Sequence, residues 1–301
     1  MANQLNDIFL YMHYITINDL TQTIRKNIWK IPHDIECIIG VPRSGMICAS
    51  IIASYLNLPL IDIDSFTEGH EPWGGDRLQY YKANNKSIKK ALIIDDTVSS
   101  GKGMLMIKDK LSNIKTDYQF IYGCVYLEGR ADWAVDIYLE DVRKYTENFT
   151  KFIIYEWNIM QHHIPLMSKS LYDMDGVLCL NPPDERNTVL YEAYIRNAVP
   201  LFIPRTKIGG IVTFRLTKYK AETEKWLKDN GVQYGPLTMF KAKSYEERNK
   251  MNIHPGVYKG EYYKQHPQYG LFVESSDEEA QIICKVAKKP VYCVSTNKLY
   301  Q

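Results

Sequence analysis

Two adjacent carboxylates, Asp95 and Asp96, stand between an apolar run and a small polar turn. The apolar run, residues 91–94, is typical of a parallel strand that is covered on both faces. Ligands bind at the edge where such strands end, and hydroxyls and backbone N–H groups before a helix suit an oxyanion. The pattern predicts a ribose phosphate, with its diol on the carboxylates and its phosphate on the turn. The turn contains Thr97, Ser99, Ser100, Gly101 and Gly103.

The pair Gly101 and Lys102 also suggests a Walker A loop. That motif needs a glycine five positions before the Gly-Lys pair, and Asp96 stands there instead. The sequence therefore does not favour binding of a nucleoside triphosphate by that route. A surface turn with two aspartates and no ligand is the simpler alternative.

The segment from residue 91 to Gly101 resembles the signature of the type I phosphoribosyltransferases, a hydrophobic strand followed by Asp-Asp-Thr-x-Ser-x-Gly. These enzymes use 5-phosphoribosyl 1-diphosphate (PRPP). The resemblance implies that Asp95 and Asp96 bind the ribose hydroxyls of PRPP. It also implies that the 5-phosphate binds to the turn residues Thr97, Ser99, Ser100 and Gly101.

A second strand, loop and helix pattern precedes the first. Residues 37–41 are apolar, a short loop follows them, and residues 46–56 form an apolar helix-like run. In the resembling family this loop binds the diphosphate, which implies that role for Arg43, Ser44 and Gly45. Taken alone, Pro-Arg-Ser-Gly is a common loop without a function.

Residues 65–90 form a long polar segment between the two patterns. Loops of this length in a compact domain are usually lids or disordered segments, and the resembling family closes such a loop over the reacting centre. Arg77 and Lys82 are candidates for contacts to the leaving diphosphate, or are incidental charges on a solvated loop. Farther along, Tyr155 and Trp157 could form a hood that stacks on the acceptor, or could pack in the core.

The second half of the chain carries a short apolar strand that ends in Asp173, Met174, Asp175 and Gly176. An EF-hand shares this start, but its loop needs further oxygen ligands and a glutamate at position twelve, whereas apolar residues follow here. Alternate residues leaving a strand can place one carboxylate in line with a phosphorus atom and the other near the leaving oxygen. The motif resembles the opening motif of the haloacid dehalogenase (HAD) superfamily of phosphatases.

The HAD resemblance implies roles for later residues that appear in the expected order. Thr213 follows an apolar run and matches the phosphoryl-binding position. Lys259 matches the lysine that follows it, with Lys264 as the second candidate. Glu274 and Asp277 match the acidic motif, although the family more often has aspartate at the first position.

In that scheme Asp173 attacks phosphorus and Asp175 protonates the leaving oxygen. The implied ligands of a Mg²⁺ ion are Asp173, Asp175, Glu274 and Asp277. About 37 positions separate Asp175 from Thr213, which is too few for a large cap. We therefore expect a small cap or none.

Global properties predict two enzyme domains of the α/β class. The chain has 301 residues, 45% of them hydrophobic and 24% charged, with a net charge of +2. We expect two Rossmann-like three-layer domains with mainly parallel sheets, residues 1–165 with the type I phosphoribosyltransferase fold and residues 166–301 with the HAD-like fold. Dispersed charge gives no reason to expect nucleic-acid binding. The lack of a signal peptide, of a transmembrane segment and of paired cysteines predicts a cytoplasmic location.

These features together predict a bifunctional enzyme. The first domain transfers ribose 5-phosphate from Mg²⁺-bound PRPP to an acceptor, and the second domain removes the 5-phosphate. Nucleobase salvage keeps that phosphate, so the pairing favours a carbohydrate acceptor. One alternative is a nucleobase or nucleotide-metabolism transferase whose phosphatase acts on a separate substrate. Another is a regulatory protein that senses PRPP or nucleotides. The chain could form a homodimer, and the sequence does not fix the anomeric configuration of the product.

Overall fold

The computed structural model describes residues 11–75, 90–146, 151–160 and 164–301. The chain divides into two compact units, which are described separately. The first unit comprises residues 15–147, and the second comprises residues 1–14 together with residues 148–301. Their boundaries differ from the expected division after residue 165. Strand β1 (Tyr11–Ile15) pairs with β7 (Lys151–Tyr155), and Met12, Ile154 and Ile159 lie in the hydrophobic core of the second unit.

The first unit is built on a five-stranded parallel sheet with the order β3-β2-β4-β5-β6. Helices alternate with the strands, which is the connection that parallel neighbours require. The strands are β2 (Cys37–Gly40), β3 (Leu60–Asp62), β4 (Lys90–Val98), β5 (Gln119–Leu127) and β6 (Ile137–Asp141). The helices are α1 (Ile17–Asn27), α2 (Gly45–Leu56), α3 (Ile63–Thr67) and α4 (Lys102–Ser112).

Strand β4 lies at the centre of this sheet, between β2 and β5. Its residues 91–94 are completely buried, as the continuous apolar run predicts. The strand is longer than the sequence indicated. It continues through Asp95 and Asp96 to Val98, because Thr97 and Val98 still pair with Tyr126 and Leu127 of β5. The carboxylates therefore stand on the last part of the strand, and the turn begins after it.

The second unit contains a six-stranded sheet with the order β10-β9-β8-β11-β12-β13. All neighbours are parallel except β12 and β13, which are antiparallel. The strands are β8 (Ser170–Tyr172), β9 (Gly210–Leu216), β10 (Leu237–Phe240), β11 (Leu271–Glu274), β12 (Val291–Cys293) and β13 (Lys298–Tyr300).

Helices follow the strands of the second unit in the same alternating manner. They are α5 (Ile164–Met167), α6 (Thr188–Asn197), α7 (Lys220–Asp229), α8 (Tyr245–Lys250), α9 (Pro255–Gln265) and α10 (Asp277–Ala287). Side chains alternate between two apolar clusters: Tyr172 and Val273 enter one, while Leu171 and Phe272 enter the other. The sheet is thus covered on both faces.

The expected α/β class with mainly parallel sheets is confirmed by these two units. The assignment of the second unit to the HAD-like fold stays a prediction. Between β8 and β9 the chain forms α6 and its connections, which is the segment where the expected small cap would lie. No helix among the described residues is long and apolar enough to cross a membrane.

Candidate functional site

The carboxyl edge of the first sheet brings the two sequence patterns of this unit into contact. The Ser44 hydroxyl donates to Asp96 Oδ1 at 3.0 Å, and the Val41 N–H donates to the Ile94 carbonyl at 3.0 Å. Gly45 stands so close to β4 that an added Cβ would lie 2.8 Å from Asp95 Oδ1. A side chain at position 45 would push the loop away from the carboxylates. Ser44, Gly45, Asp95 and Asp96 therefore form one site.

Asp95 and Asp96 differ in exposure. Asp96 is buried, Asp95 is half-buried, and the Asp96 N–H donates to Asp95 Oδ1 at 2.9 Å. Burial and the adjacent negative charge of Asp96 raise the pKa of Asp95 to about 8. The pair thus resists carrying two negative charges at neutral pH. A carboxyl pair that retains a proton can both accept from and donate to the hydroxyls of a vicinal diol.

The turn after β4 has the properties of an anion site. Ser99 and Ser100 are exposed, and Gly101 has a φ of +74° immediately before α4. An added Cβ at Gly101 would also lie 2.9 Å from the Ala134 Cβ, so this position requires glycine on two grounds. Among the described residues, no backbone acceptor takes the N–H groups of Ser99, Ser100 or Gly101. These donors, at the start of an 11-residue helix, are available to a phosphate.

Sequence reasoning missed a third acid at this edge, Glu128, which directly follows β5. The Glu128 N–H donates to the Val98 carbonyl at 3.0 Å. Burial, and secondly the charge of Asp96, raise the pKa of Glu128. The next residue, Gly129, is so close to the turn that an added Cβ would lie 1.9 Å from the Ser99 oxygen. The sequence signal that could have identified Glu128 is its position directly after the apolar strand that pairs with β4.

The other predicted residues of this unit are placed as follows. Arg43 is exposed on the loop after β2, and Thr97 is half-buried within β4. Arg77 and Lys82 lie outside the described residues. The proposed hood residues belong to the second unit, where Tyr155 is buried and its ring centroid lies 5.0 Å from that of Trp157. Core packing accounts for Tyr155, while Trp157 is half-buried.

The second unit has its own buried polar cluster, centred on the Lys259 ammonium. Its Nζ lies 2.7 Å from each of three carboxylate oxygens: Asp173 Oδ2, Glu274 Oε2 and Glu279 Oε2. Asp173 stands directly after β8, Glu274 ends the neighbouring strand β11, and Lys259 comes from the buried face of α9. Lys264 is exposed and lies 3.9 Å from Glu261, so Lys259 is the lysine of this cluster.

One lysine cannot neutralise three carboxylates. Burial is the main reason why the pKa of Asp173 is raised to about 7, although Lys259 opposes the shift. Burial also disfavours the charged lysine, yet the three carboxylates raise the pKa of Lys259 well above its usual value. The lysine therefore stays protonated, while Asp173 exchanges its proton near neutral pH. Glu279 is a member of this cluster that the sequence motif did not predict.

Asp175 lies in a second network, with Arg215. The Arg215 Nη2 lies 2.5 Å from Asp175 Oδ1, and the Tyr194 hydroxyl donates to the same oxygen at 2.5 Å. Burial favours the neutral acid, but Arg215 and Tyr194 lower the pKa of Asp175 below its usual value. This arrangement keeps Asp175 ionised, which opposes the predicted role as a proton donor. Thr213 is buried on β9, and its Oγ1 accepts from the Arg215 N–H at 3.3 Å.

The structure does not assemble the four-residue magnesium site that the motif implied. Asp277 begins α10, where its carboxylate accepts from Thr296, Tyr300 and Gln281 instead of approaching Glu274. Asp175 is held by Arg215, and Lys259 occupies the point where the other carboxylates converge. Within the described ranges, no three His, Cys, Asp or Glu side chains are placed to hold a metal ion. As arranged, this set does not fit Mg²⁺.

The comparisons with known proteins concern the first half of the chain. Residues 12–157 match the family model for the phosphoribosyl transferase domain, so this part of the chain is a PRPP-utilising phosphoribosyltransferase domain. No curated protein matches the chain at a significant level.

Solved structures give weaker similarities. The purine phosphoribosyltransferase of Pyrococcus horikoshii is 20% identical, with 48% of this chain and 93% of that chain covered and a TM-score of 0.34. The Helicobacter pylori xanthine-guanine-hypoxanthine phosphoribosyltransferase is 16% identical, with 50% of this chain and 93% of that chain covered and a TM-score of 0.34. The orotate phosphoribosyltransferase of Aeropyrum pernix is 15% identical, with 42% of this chain and 72% of that chain covered and a TM-score of 0.31. These values are too low to indicate an acceptor.

Proposed function

We propose that the protein transfers ribose 5-phosphate from PRPP to a carbohydrate acceptor and then removes the 5-phosphate. The observation that carries the transfer step is the contact of Ser44 and Gly45 with Asp96 and Asp95, inside the residues that match the family. This contact supports the assignment of the loop with Ser44 and Gly45 to the diphosphate and of Asp95 and Asp96 to the ribose hydroxyls. The donors of Ser99, Ser100 and Gly101 then take the 5-phosphate.

Mg²⁺ enters this scheme with PRPP as the magnesium complex of the substrate. Arg43 and Ser44 are assigned to the diphosphate end of that complex, and Asp95 with Asp96 to the ribose hydroxyls. The acceptor attacks the anomeric carbon and the diphosphate leaves. Positive charge near the leaving diphosphate is the main source of rate enhancement in such displacements. Arg77, in the segment before β4, is proposed to add to it.

The second unit supplies the phosphatase step in this proposal. Asp173 is assigned as the nucleophile, because it is a buried carboxylate at a strand end whose proton exchanges near neutral pH. Thr213 and Lys259 are assigned to the phosphoryl group. Arg215 and Tyr194 keep Asp175 ionised in the arrangement described, so we assign it no proton transfer to the leaving oxygen. We assign no step of this unit to a metal.

The acceptor assignment rests on the combination of activities. A phosphoribosyl product carries a phosphate monoester, which is the substrate class that an aspartate nucleophile of this kind hydrolyses. Nucleotide salvage retains this phosphate, so a salvage transferase joined to a phosphatase would lose its own product. A ribofuranosyl group on a sugar has no need of the phosphate. A carbohydrate hydroxyl is therefore the acceptor that we propose.

The decisive experiment incubates the full chain with PRPP, MgCl₂ and separate panels of saccharides and nucleobases, and measures product masses. We expect a saccharide carrying a ribosyl group without phosphate. The double variant D95N/D96N should lose the transfer but still hydrolyse p-nitrophenyl phosphate, because the two acidic sites lie in separate compact units. Transfer to a nucleobase with the phosphate retained would contradict the carbohydrate assignment. Transfer by the double variant would contradict the PRPP site.

A further inference from the structure

Glu128 stands on the opposite side of the ribose-binding carboxylates from the diphosphate loop. Strand β4, which carries Asp95 and Asp96, has β2 as one neighbour and β5 as the other. The loop with Arg43 and Ser44 follows β2, whereas Glu128 follows β5. A displacement at an anomeric carbon needs the attacking group on the face opposite the leaving group, with any base on that side. The sheet order puts Glu128 on the side of β4 that faces away from the loop assigned to the diphosphate.

The backbone around Glu128 is fixed against the phosphate turn. The Glu128 N–H donates to the Val98 carbonyl at 3.0 Å, which extends the β4–β5 ladder by one residue. Gly129 then contacts the turn so closely that a Cβ would lie 1.9 Å from the Ser99 oxygen. The backbone of Glu128 therefore keeps its position relative to the turn that is assigned to the phosphate. Such fixed placement is what a catalytic group requires.

The side chain of Glu128 has no structural partner in the described part of the chain. It is half-buried, and no hydrogen bond or ion pair of its carboxylate is present there. The acids at the end of the next strand are engaged: Glu140 accepts from Lys144, and Asp141 accepts from Arg143. A half-buried carboxylate near another carboxylate costs stability, and groups of this kind cluster at functional sites.

We infer that Glu128 is a further catalytic residue, which accepts the proton of the attacking acceptor hydroxyl. This inference rests on the proposed transferase function. In the step, the bond between the anomeric carbon and the diphosphate oxygen breaks, and its electron pair leaves with the diphosphate. A new bond forms between the anomeric carbon and the acceptor oxygen. The proton of that hydroxyl passes to the Glu128 carboxylate, so atoms and charge balance. Burial and Asp96 make this carboxylate a stronger base than a solvated glutamate.

The test compares E128Q with the wild type and with D132N, a matched change to an exposed acid on the same connection after β5. Mg-PRPP affinity is measured by calorimetry. Turnover is measured as diphosphate release, with water as the acceptor and with any saccharide that the product screen returns. We expect E128Q to bind Mg-PRPP within about threefold of the wild type and to turn over about 10²- to 10⁴-fold more slowly, the usual range for a lost general base. D132N should match the wild type.

The outcomes separate the role of Glu128 from the proposed function. If the wild type turns over and E128Q turns over equally fast, the role of Glu128 is overturned and the proposed transfer is not. A wild type that binds Mg-PRPP but transfers to no acceptor, water included, overturns the proposed transfer and this role with it. An E128Q protein that has lost both turnover and Mg-PRPP affinity would show a structural role and also overturn the inference. E128D, which keeps a carboxylate one methylene shorter, should recover part of the rate.

Discussion

Arg215 forms a bidentate ion pair with Asp175 in the interior of the second unit. Its Nε lies 3.1 and 3.0 Å from the two carboxylate oxygens, and its Nη2 lies 2.5 Å from Oδ1. The guanidinium is among the largest fully buried side chains of the described residues. Its remaining N–H groups contact Tyr194 at 3.2 Å and Thr223 at 3.5 Å. The pair therefore joins the loop after β8 to β9 and α7.

Replacing Arg215 with methionine should destabilise the second unit strongly. Removal of one partner leaves Asp175 as a buried charge without compensation, a change that typically costs about 3–5 kcal/mol. The matched control is R186M, because Arg186 forms the same bidentate pair with Asp184 on the exposed surface. We expect R186M to change the urea midpoint little. Equal shifts for the two variants would show that the buried pair adds no more stability than the exposed one.

This pair also shows where sequence reasoning reaches its limit. Asp173 and Asp175 could be identified because both belong to one local motif at a strand end. Arg215 and Asp175 are 40 positions apart, and their contact depends on β8 and β9 being neighbours. No local pattern carries that information. Lys259, by contrast, was found because its order in the chain matched the resembling family.

The acidic motif illustrates a second limit, the rotation of a helix. The motif assigned Asp277 to the magnesium site, but α10 begins at that residue. Side chains two positions apart on a helix point in nearly opposite directions. Glu279 therefore contacts Lys259, while Asp277 contacts Thr296 and Tyr300. The compact units also differ from the expected division after residue 165. Residues 151–159 were assigned to the first domain by their position along the chain, whereas their buried side chains belong to the core of the second unit.

Asp95 should make the first unit less stable as the pH rises. Its pKa in the folded protein, about 8, lies above the value of about 3.9 in an unfolded chain. The folded state therefore binds more protons between these values, and stability is lost as the pH rises through this window. D95N removes the titration and keeps an oxygen for the Asp96 N–H. We expect its thermal midpoint to exceed that of the wild type at pH 8, with the difference shrinking towards pH 5.

The control for this prediction is D109N, an exposed aspartate on α4. Its midpoint should follow the wild type at every pH. A constant difference between D95N and the wild type across the range would show that Asp95 titrates like a solvated acid in the folded protein. D95N should also lose transferase activity, because Asp95 is assigned to the ribose hydroxyls of PRPP in the proposed function.

Gly45 should be intolerant of alanine. The new Cβ would lie 2.8 Å from Asp95 Oδ1 and 3.0 Å from the Ile94 oxygen, and neither β4 group can move easily within the sheet. Overpacking of this kind costs about 1–3 kcal/mol. We expect G45A to weaken Mg-PRPP binding by about tenfold or more, measured by calorimetry. G103A is the matched control, since Gly103 lies in α4 with open space around its Cα. Equal affinities of the two variants would place the diphosphate loop elsewhere.

Asp173→Asn should accumulate an acceptor that still carries ribose 5-phosphate. In the proposed scheme transfer requires only the first unit, and an amide cannot replace the attacking carboxylate in forming an aspartyl-phosphate. The variant keeps an acceptor oxygen for Lys259, which limits the structural change around the ammonium. Mass spectrometry of the product should show one phosphoryl group more than the wild-type product.

D277N is the control for this last variant, because the Asp277 carboxylate contacts Thr296 and Tyr300 rather than Lys259. We expect D277N to release the same product as the wild type. If D173N also released that product, the second unit would not act on the product of the first. The phosphatase would then have a separate substrate, and the reason for favouring a carbohydrate over a nucleobase would disappear with it. If D277N accumulated the phosphorylated product as well, Asp277 would belong to the reacting centre after all, as the acidic motif implied.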